Sequence, residues 1–398
     1  VHVGLNMVFL VPGETGGMEI YARELVAALT RVAPEIRLTA FLSREGGEHA
    51  GDLLGDAVRP VVLPVNARRR PEWVLGEQWH VPGAARRVRC DLVHSLATTG
   101  PAVGGPIRVT TVHDLIYKIH PEAHMGLRTY GMRVLVPLSV RRSHRLIAVS
   151  QATADDLVRL MGIPRERIDV IPEGVGRTAP AAPTPEPELR RRLDARDRPI
   201  VLSASAKRPH KNLMRLLEAL AQIDPAERPV LVLPGYETPH EAELRARATE
   251  LGLDGDVRFL GWVSSADLEG LYAASACFVF PSLYEGFGLP VLEAMKRGVP
   301  VACSRGGSLG EVAGDAALTF DPESVGEIAA AMRRLLADRE LADRLRSAGY
   351  ERVQTFDWDE TARRTAETYR RATGTRSGSS SASSSGTASD SSAAVPPA

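Results

Sequence analysis

Cysteine is scarce in this chain. Its 398 residues hold three, Cys90, Cys277 and Cys303, spaced too widely for a zinc site or a disulfide framework. Cys277 and Cys303 lie in apolar, strand-like runs, and all three read as reduced core residues. An excess of positive charge is missing too: Lys plus Arg and Asp plus Glu both number 49, so the footprint of a nucleic-acid partner is absent. No apolar run reaches the length that spans a bilayer, and Val1-His2-Val3-Gly4-Leu5 begins directly as a strand, with no basic leader before it. A cytoplasmic location is the expectation, with the inner face of a membrane as the other surface open to it. The first glycine-rich loop also lacks a full G-x-G-x-x-G pattern, which argues against a dinucleotide-dependent oxidoreductase.

A chain of this length exceeds one ordinary core, so two domains are expected. Short apolar runs alternate with amphipathic helical patterns to about residue 350, the signature of parallel sheets with crossover helices. Strands are predicted at Val1–Val8, Leu38–Leu42, Val61–Val65, Leu92–Ser95, Arg108–Val112 and Leu146–Val149. A second set runs Ile200–Ala204, Val230–Leu233, Val257–Leu260, Cys277–Phe280, Val299–Cys303 and Leu318–Phe320. The fold class is therefore α/β with two Rossmann-like domains. The Pro- and Ala-rich stretch from Gly176 to Pro187 reads as an interdomain linker, and the cleft between the domains is the expected site. The predicted partition is 1–175, a linker at 176–198, a second domain at 199–356, a last helix at 357–373 and a Ser-rich tail at 374–398. That tail holds too little apolar area to offset its ordering entropy and is expected to be disordered.

The segment from Pro281 to Glu293 sets two carboxylates, Glu285 and Glu293, eight residues apart around the turn Gly286-Phe287-Gly288-Leu289. It follows the buried-strand pattern Cys277–Phe280, and Pro290 suits the first position of the next helix. Ligands of open parallel sheets bind at such crossings, where unpaired helix-opening amides receive an anion. Gly286 and Gly288 would let the backbone approach a phosphate. Glu285 on the loop and Glu293 in the first helical turn would accept hydrogen bonds from hydroxyls. Phosphate plus several hydroxyls describes a nucleotide sugar, although both acids also suit solvated positions near a helix dipole.

A second cluster, Ser205-Ala206-Lys207-Arg208-Pro209-His210-Lys211-Asn212, lies between a strand and a helix, where fixed cations stabilise charge developing on a leaving diphosphate. Pro12 to Glu19 forms a glycine-rich turn, with Gly16 and Gly17, after the first strand. Thr111-Val112-His113-Asp114 ends the fifth. A histidine there can donate to a sugar hydroxyl or share a proton, depending on its protonation state.

With these segments in place, residues 1 to 373 resemble the retaining nucleotide-sugar glycosyltransferases of family 4, which have the GT-B fold. The resemblance implies an acceptor-side first domain, a donor-binding second domain and a last helix that crosses back onto the first. It implies that Glu285 contacts donor-sugar hydroxyls, that Glu293 holds the ribose, and that Gly286, Phe287, Gly288 and Leu289 line the donor. Lys211 matches the phosphate-binding lysine. The family's usual arginine five residues earlier is Ala206 here, so Lys207 or Arg208 must supply the second cation. Gly16 and Gly17 match the glycine pair that approaches donor phosphate and acceptor, His113 matches the histidine near the reacting sugar, and Val263 in Gly261-Trp262-Val263 belongs to the segment whose backbone reads the base. His113, Glu285 and Lys211 are the expected catalytic residues. No cofactor or metal is expected, because the nucleoside-diphosphate sugar, such as GDP-mannose or UDP-glucose, is a substrate. The partner is a hydroxyl acceptor: a glycan, a lipid-linked sugar or a small molecule.

Other segments stay open. Ser150, after a strand, resembles a strand-to-helix junction or simply caps the helix. Ser304-Arg305-Gly306-Gly307 and Glu311 either pack closely or touch the donor. Asp357-Trp358-Asp359 spells a metal-binding pattern of another fold, but its place at a helix start favours a dipole role. Arg68 to Arg87, with Trp73 and Trp79, suits an anionic lipid surface, an acceptor or an ordinary basic helix face. Two other activities fit the same fold: a nucleotide-sugar epimerase, and a non-catalytic sugar-nucleotide binding protein.

Overall fold

The structure, a computed structural model, describes residues 1–121, 127–176 and 181–374, the side chains of 127–130 excepted. The expected disordered tail therefore lies outside the described residues except for Gly374, as does linker segment 177–180. The first half holds strands β1 (His2–Met7), β2 (Arg37–Leu42), β3 (Arg59–Val62), β4 (Leu92–Ser95), β5 (Ile107–Val112), β6 (Arg145–Ala148) and β7 (Ile168–Val170). They form one parallel sheet in the order β3-β2-β1-β4-β5-β6-β7. The second half holds β8 (Ile200–Leu202), β9 (Val230–Leu233), β10 (Val257–Phe259), β11 (Cys277–Phe280), β12 (Val301–Ser304) and β13 (Ala317–Phe320), in the parallel order β10-β9-β8-β11-β12-β13. Two Rossmann-like sheets match the fold read from the sequence.

Helices cover both faces of the central strands, which is why β1, β4, β9 and β11 are buried along their whole length; β9 and β11 are unbroken apolar runs, while β1 and β4 also bury His2, Asn6, His94 and Ser95 on hydrogen bonds. Cys90, Cys277 and Cys303 are free and buried among them. The third strand begins two residues earlier than its apolar run suggests, at Arg59. β7 is an addition that the sequence reading did not contain. Its middle residue, Asp169, is held by Arg145 at 2.8 Å and by Thr368 at 2.8 Å.

The terminal helix Trp358–Thr373 packs on the first-half helix Gly17–Val32. Trp358 and Tyr369 are fully buried there, Tyr21 meets the Trp358 ring at 5.7 Å, and Tyr369 Oη lies 2.7 Å from His94 Nδ1. Asp359 pairs with Arg31, so this acid of the Asp-Trp-Asp triplet serves helix packing. The chain crosses between the halves twice, and the crossings are stitched together: Val175 N donates to Phe356 O at 3.0 Å and Thr361 Oγ1 to Pro172 O at 2.7 Å.

Candidate functional site

In each sheet strand order reverses once, and the loops leaving the carboxyl ends on either side of that point open a crevice. The reversal in the second sheet falls between β8 and β11. The loop after β8 carries Lys207, Arg208 and Lys211; the loop after β11 carries Glu285. Asn212, in the left-handed region at φ 58°, ties them by donating to Pro281 O at 3.0 Å and to Pro322 O at 2.7 Å. Lys211 Nζ stands 2.6 Å from Glu285 Oε1 and 5.3 Å from the centre of the Phe280 ring. The two side chains are 15% and 11% exposed, so the pair is close to solvent yet sheltered enough for its charges to act strongly.

Lys207 does not join them. Its side chain is fully buried, donating to Gly235 O at 2.8 Å and Leu260 O at 2.6 Å, with Glu241 at 3.3 Å. Burial lowers its pKa in spite of Glu241. This lysine pins the loops after β9 and β10, which corrects its reading as a donor cation. Arg208 is half-buried on the same loop.

Gly288 caps the helix Leu289–Lys296 at φ 111° and Pro290 takes its second position, one later than expected. Glu293 accordingly lies in the second turn. It is half-buried beside Tyr272 and Arg297, and burial raises its carboxyl pKa against the pull of Arg297. Gly286 also ties the two halves: its carbonyl accepts from Ser150 Oγ at 2.7 Å and Thr153 Oγ1 at 3.2 Å in the other half. A Cβ there would stand 1.8 Å from His113 O. Ser150 also caps its own helix, Gln151–Met161, through Thr153 N. Glu311 reaches across to the same helix start and accepts from Gln151 N at 2.9 Å and Ala152 N at 3.2 Å, which places Glu311 in interdomain packing.

The first sheet reverses between β1 and β4. Gly16 caps the first helix at φ 65°, and both Gly16 and Gly17 border open space where a Cβ would be. From the other half, Tyr236 Oη donates to Gly13 O at 3.0 Å, and the Tyr236 ring stacks at 4.7 Å on Trp262, which is 70% exposed. The carboxyl edges of the two sheets thus face each other. Val263 is half-buried beside this aromatic pair.

His113 leaves β5 at that edge with both ring nitrogens engaged: Nε2 lies 2.7 Å from Leu96 O and Nδ1 3.0 Å from Glu173 Oε1. Glu173 escaped the sequence reading, as did Glu77, buried on the short π-helical segment Gly76–His80 and bonded to Thr99 at 2.9 Å. A lone acid in the otherwise apolar Ile171-Pro172-Glu173-Gly174-Val175 was the available signal for Glu173. The basic segment is partly spoken for, because Arg68 pairs with Glu14 at 2.7 Å. No helix among the described residues is long and apolar enough to cross a membrane, and none of their His, Cys, Asp and Glu side chains gather in threes fit to hold a metal ion.

Comparisons with known proteins agree with this architecture. Residues 15–178 match the profile of Glycosyltransferase Family 4 and residues 185–352 that of glycosyl transferases group 1. The O-antigen chain mannosyltransferase B of Escherichia coli is 33% identical over 66% of this chain and 70% of its own length. A D-inositol 3-phosphate glycosyltransferase of Nocardioides is 32% identical over 90% of this chain and 86% of its own. Among solved structures, Anabaena HepE with UDP and glucose superposes with a TM-score of 0.72, at 22% identity over 93% of this chain and 99% of HepE.

Proposed function

Because the chain belongs to the glycosyl transferases of group 1, with a family 4 first half, and moves a glycosyl unit from a nucleotide-sugar donor, we propose that this unit is a hexosyl group passed to a hydroxyl acceptor with retention of anomeric configuration and without a metal ion. The observation that carries the reading is the Lys211–Glu285 pair at the reversal point of the second sheet. Lys211, Arg208 and helix-opening amides would receive the diphosphate, Glu285 the sugar hydroxyls and Glu293 the ribose. Fixed cations take the place of a divalent ion in stabilising the leaving phosphate. Retention follows the family resemblance: the acceptor attacks from the leaving-group face, and the departing phosphate oxygen takes its proton. Lys211 and Glu285 pair with one another, so a donor that uses both would enter by exchanging partners with them. Catalysis would then rest on positioning and charge, with closure excluding water.

A panel of GDP-mannose, UDP-glucose and other nucleoside-diphosphate hexoses, with a mixed acceptor pool and excess EDTA, tests this reading. Release of one diphosphate and a product whose anomeric proton matches the donor's configuration are expected. Activity that is lost with EDTA and restored by Mg²⁺ would refute metal independence, and an inverted product would refute retention. Release of no diphosphate from any donor would remove the transferase reading altogether.

A further inference from the structure

Glu173 sits where the chain leaves the first half, three residues after β7. Its surroundings are rigid. Pro172 O accepts from Thr361 Oγ1, Val175 N donates to Phe356 O, and Gly174 lies so near Trp358 that a Cβ would come within 2.5 Å of the indole. The carboxylate, 5% exposed, is therefore aimed by the crossing segments and not by its own rotamer freedom.

It is aimed at His113. A backbone carbonyl only accepts, so Leu96 O requires a proton on Nε2; an ionised carboxylate only accepts, so Glu173 requires one on Nδ1 as well. Both acceptors are met at once by the imidazolium. Burial opposes that charge, yet Glu173 and the Leu96 carbonyl outweigh it and the net pKa shift is upward. The other titratable groups facing the ring do not reverse this. Asp114, next in the chain, adds to it. His94, on β4, is held neutral by burial, with a pKa near 3. Tyr21 presents its ring edge-on at 4.8 Å and is kept un-ionised by burial. With both nitrogens occupied, the ring is not available as a general base. It fixes the turn whose carbonyl abuts Gly286, the residue after Glu285.

We propose that Glu173 is a positioning residue for glycosyl transfer: it holds His113 as a doubly hydrogen-bonded cation, and so seats the His113–Asp114 turn against the donor loop while linking that seat to the segments that cross between the halves. This rests on the transferase reading for its kinetic consequence, but the charge state of the pair does not.

Two measurements test it. Ring NMR of His113 in the wild-type protein should show the imidazolium persisting above the ordinary histidine pKa of about 6.5; a ring that titrates at or below it overturns the proposal even if no donor is ever turned over. In steady-state kinetics, Glu173→Gln should make activity fall at lower pH than in the wild type. Above both transitions the loss in kcat should approach about tenfold for each unit by which the two pKa values differ, with little change in donor KM. Glu173→Asp should recover part of it. An unchanged pH profile in a folded Glu173→Gln protein would reduce Glu173 to a structural ion partner. If no donor reacts with the wild type, the transferase reading falls while the NMR result still decides the pair.

Discussion

Gly286 meets His113 so closely that a Cβ on the glycine would lie 1.8 Å from the histidine's carbonyl oxygen. The loop after β11 in the second half and the β5 turn of the first can touch only while residue 286 has no side chain. Gly286→Ala must therefore push the halves apart by an ångström or more, and misplacement of about 1 Å can cost about a hundredfold in rate. A fall in kcat of that order is expected, with little change in melting temperature because neither core is touched. Kinetics and calorimetry check it; a variant with wild-type turnover would show that closure is not needed in this form.

The two motif glutamates should separate by role. Glu285 is paired with Lys211, whereas Glu293 lies in the second turn of its helix beside Tyr272 and Arg297. Glu285→Ala should chiefly lower turnover, and Glu293→Ala should chiefly weaken binding of both the donor and the free nucleoside diphosphate. Each loses a charged hydrogen-bond partner worth on the order of 1.5 to 3 kcal/mol, or roughly tenfold to a hundredfold. Calorimetry with the diphosphate and kinetics with the full donor distinguish them. Loss of diphosphate binding in Glu285→Ala alone would reverse the assignment.

Much of this was written in the sequence, for physical reasons. Val230–Leu233 and Cys277–Phe280 match the observed strands residue for residue, because strands buried on both faces are near-continuously apolar; Leu92–Ser95 matches as well, with His94 and Ser95 buried on hydrogen bonds. β7 was hidden by Asp169, whose charge makes sense only beside Arg145 and Thr368. Likewise, nothing local tells which of Lys207 and Arg208 turns inward, since the carbonyls that take Lys207 belong to Gly235 and Leu260. Gly286 was flagged as a close approach, but the approaching group is the backbone of the other half. Glu173 and His113 are 60 residues apart, and no motif joins them.

Stability should carry a signature of Glu77. Burial pushes its carboxyl from 4.5 up to about 7, against hydrogen bonds from Thr99, Asn6 and Gln78. Between those values the folded chain binds a proton that the unfolded chain has released, so the group's contribution falls as pH rises through that window. Glu77→Gln removes this dependence. The unfolding free energy of wild type relative to Glu77→Gln should drop, by up to on the order of 3 kcal/mol, from about pH 4.5 to about pH 8. Urea titrations at the two pH values measure it, and a constant difference would mean that the carboxyl ionises as it does in water.

The terminal helix, Trp358–Thr373, packs on the first half through the helix Gly17–Val32. All the described packing of this helix lies within 358–373, where Trp358 and Tyr369 are fully buried and Asp359 reaches Arg31. Deleting residues 375–398 should leave both melting temperature and turnover within error of the full chain. Trp358→Ala should cost about 3–5 kcal/mol, the usual range for emptying a large aromatic site. It should also lower turnover beyond that loss, because Trp358 braces Gly174, next to the carboxylate that holds His113. Comparing kcat in the fraction that remains folded, below the transition, separates the two effects. If Trp358→Ala lowers stability but turns over like the wild type when folded, the terminal helix only holds the first half together. If it also loses rate, this helix helps to seat the catalytic cleft.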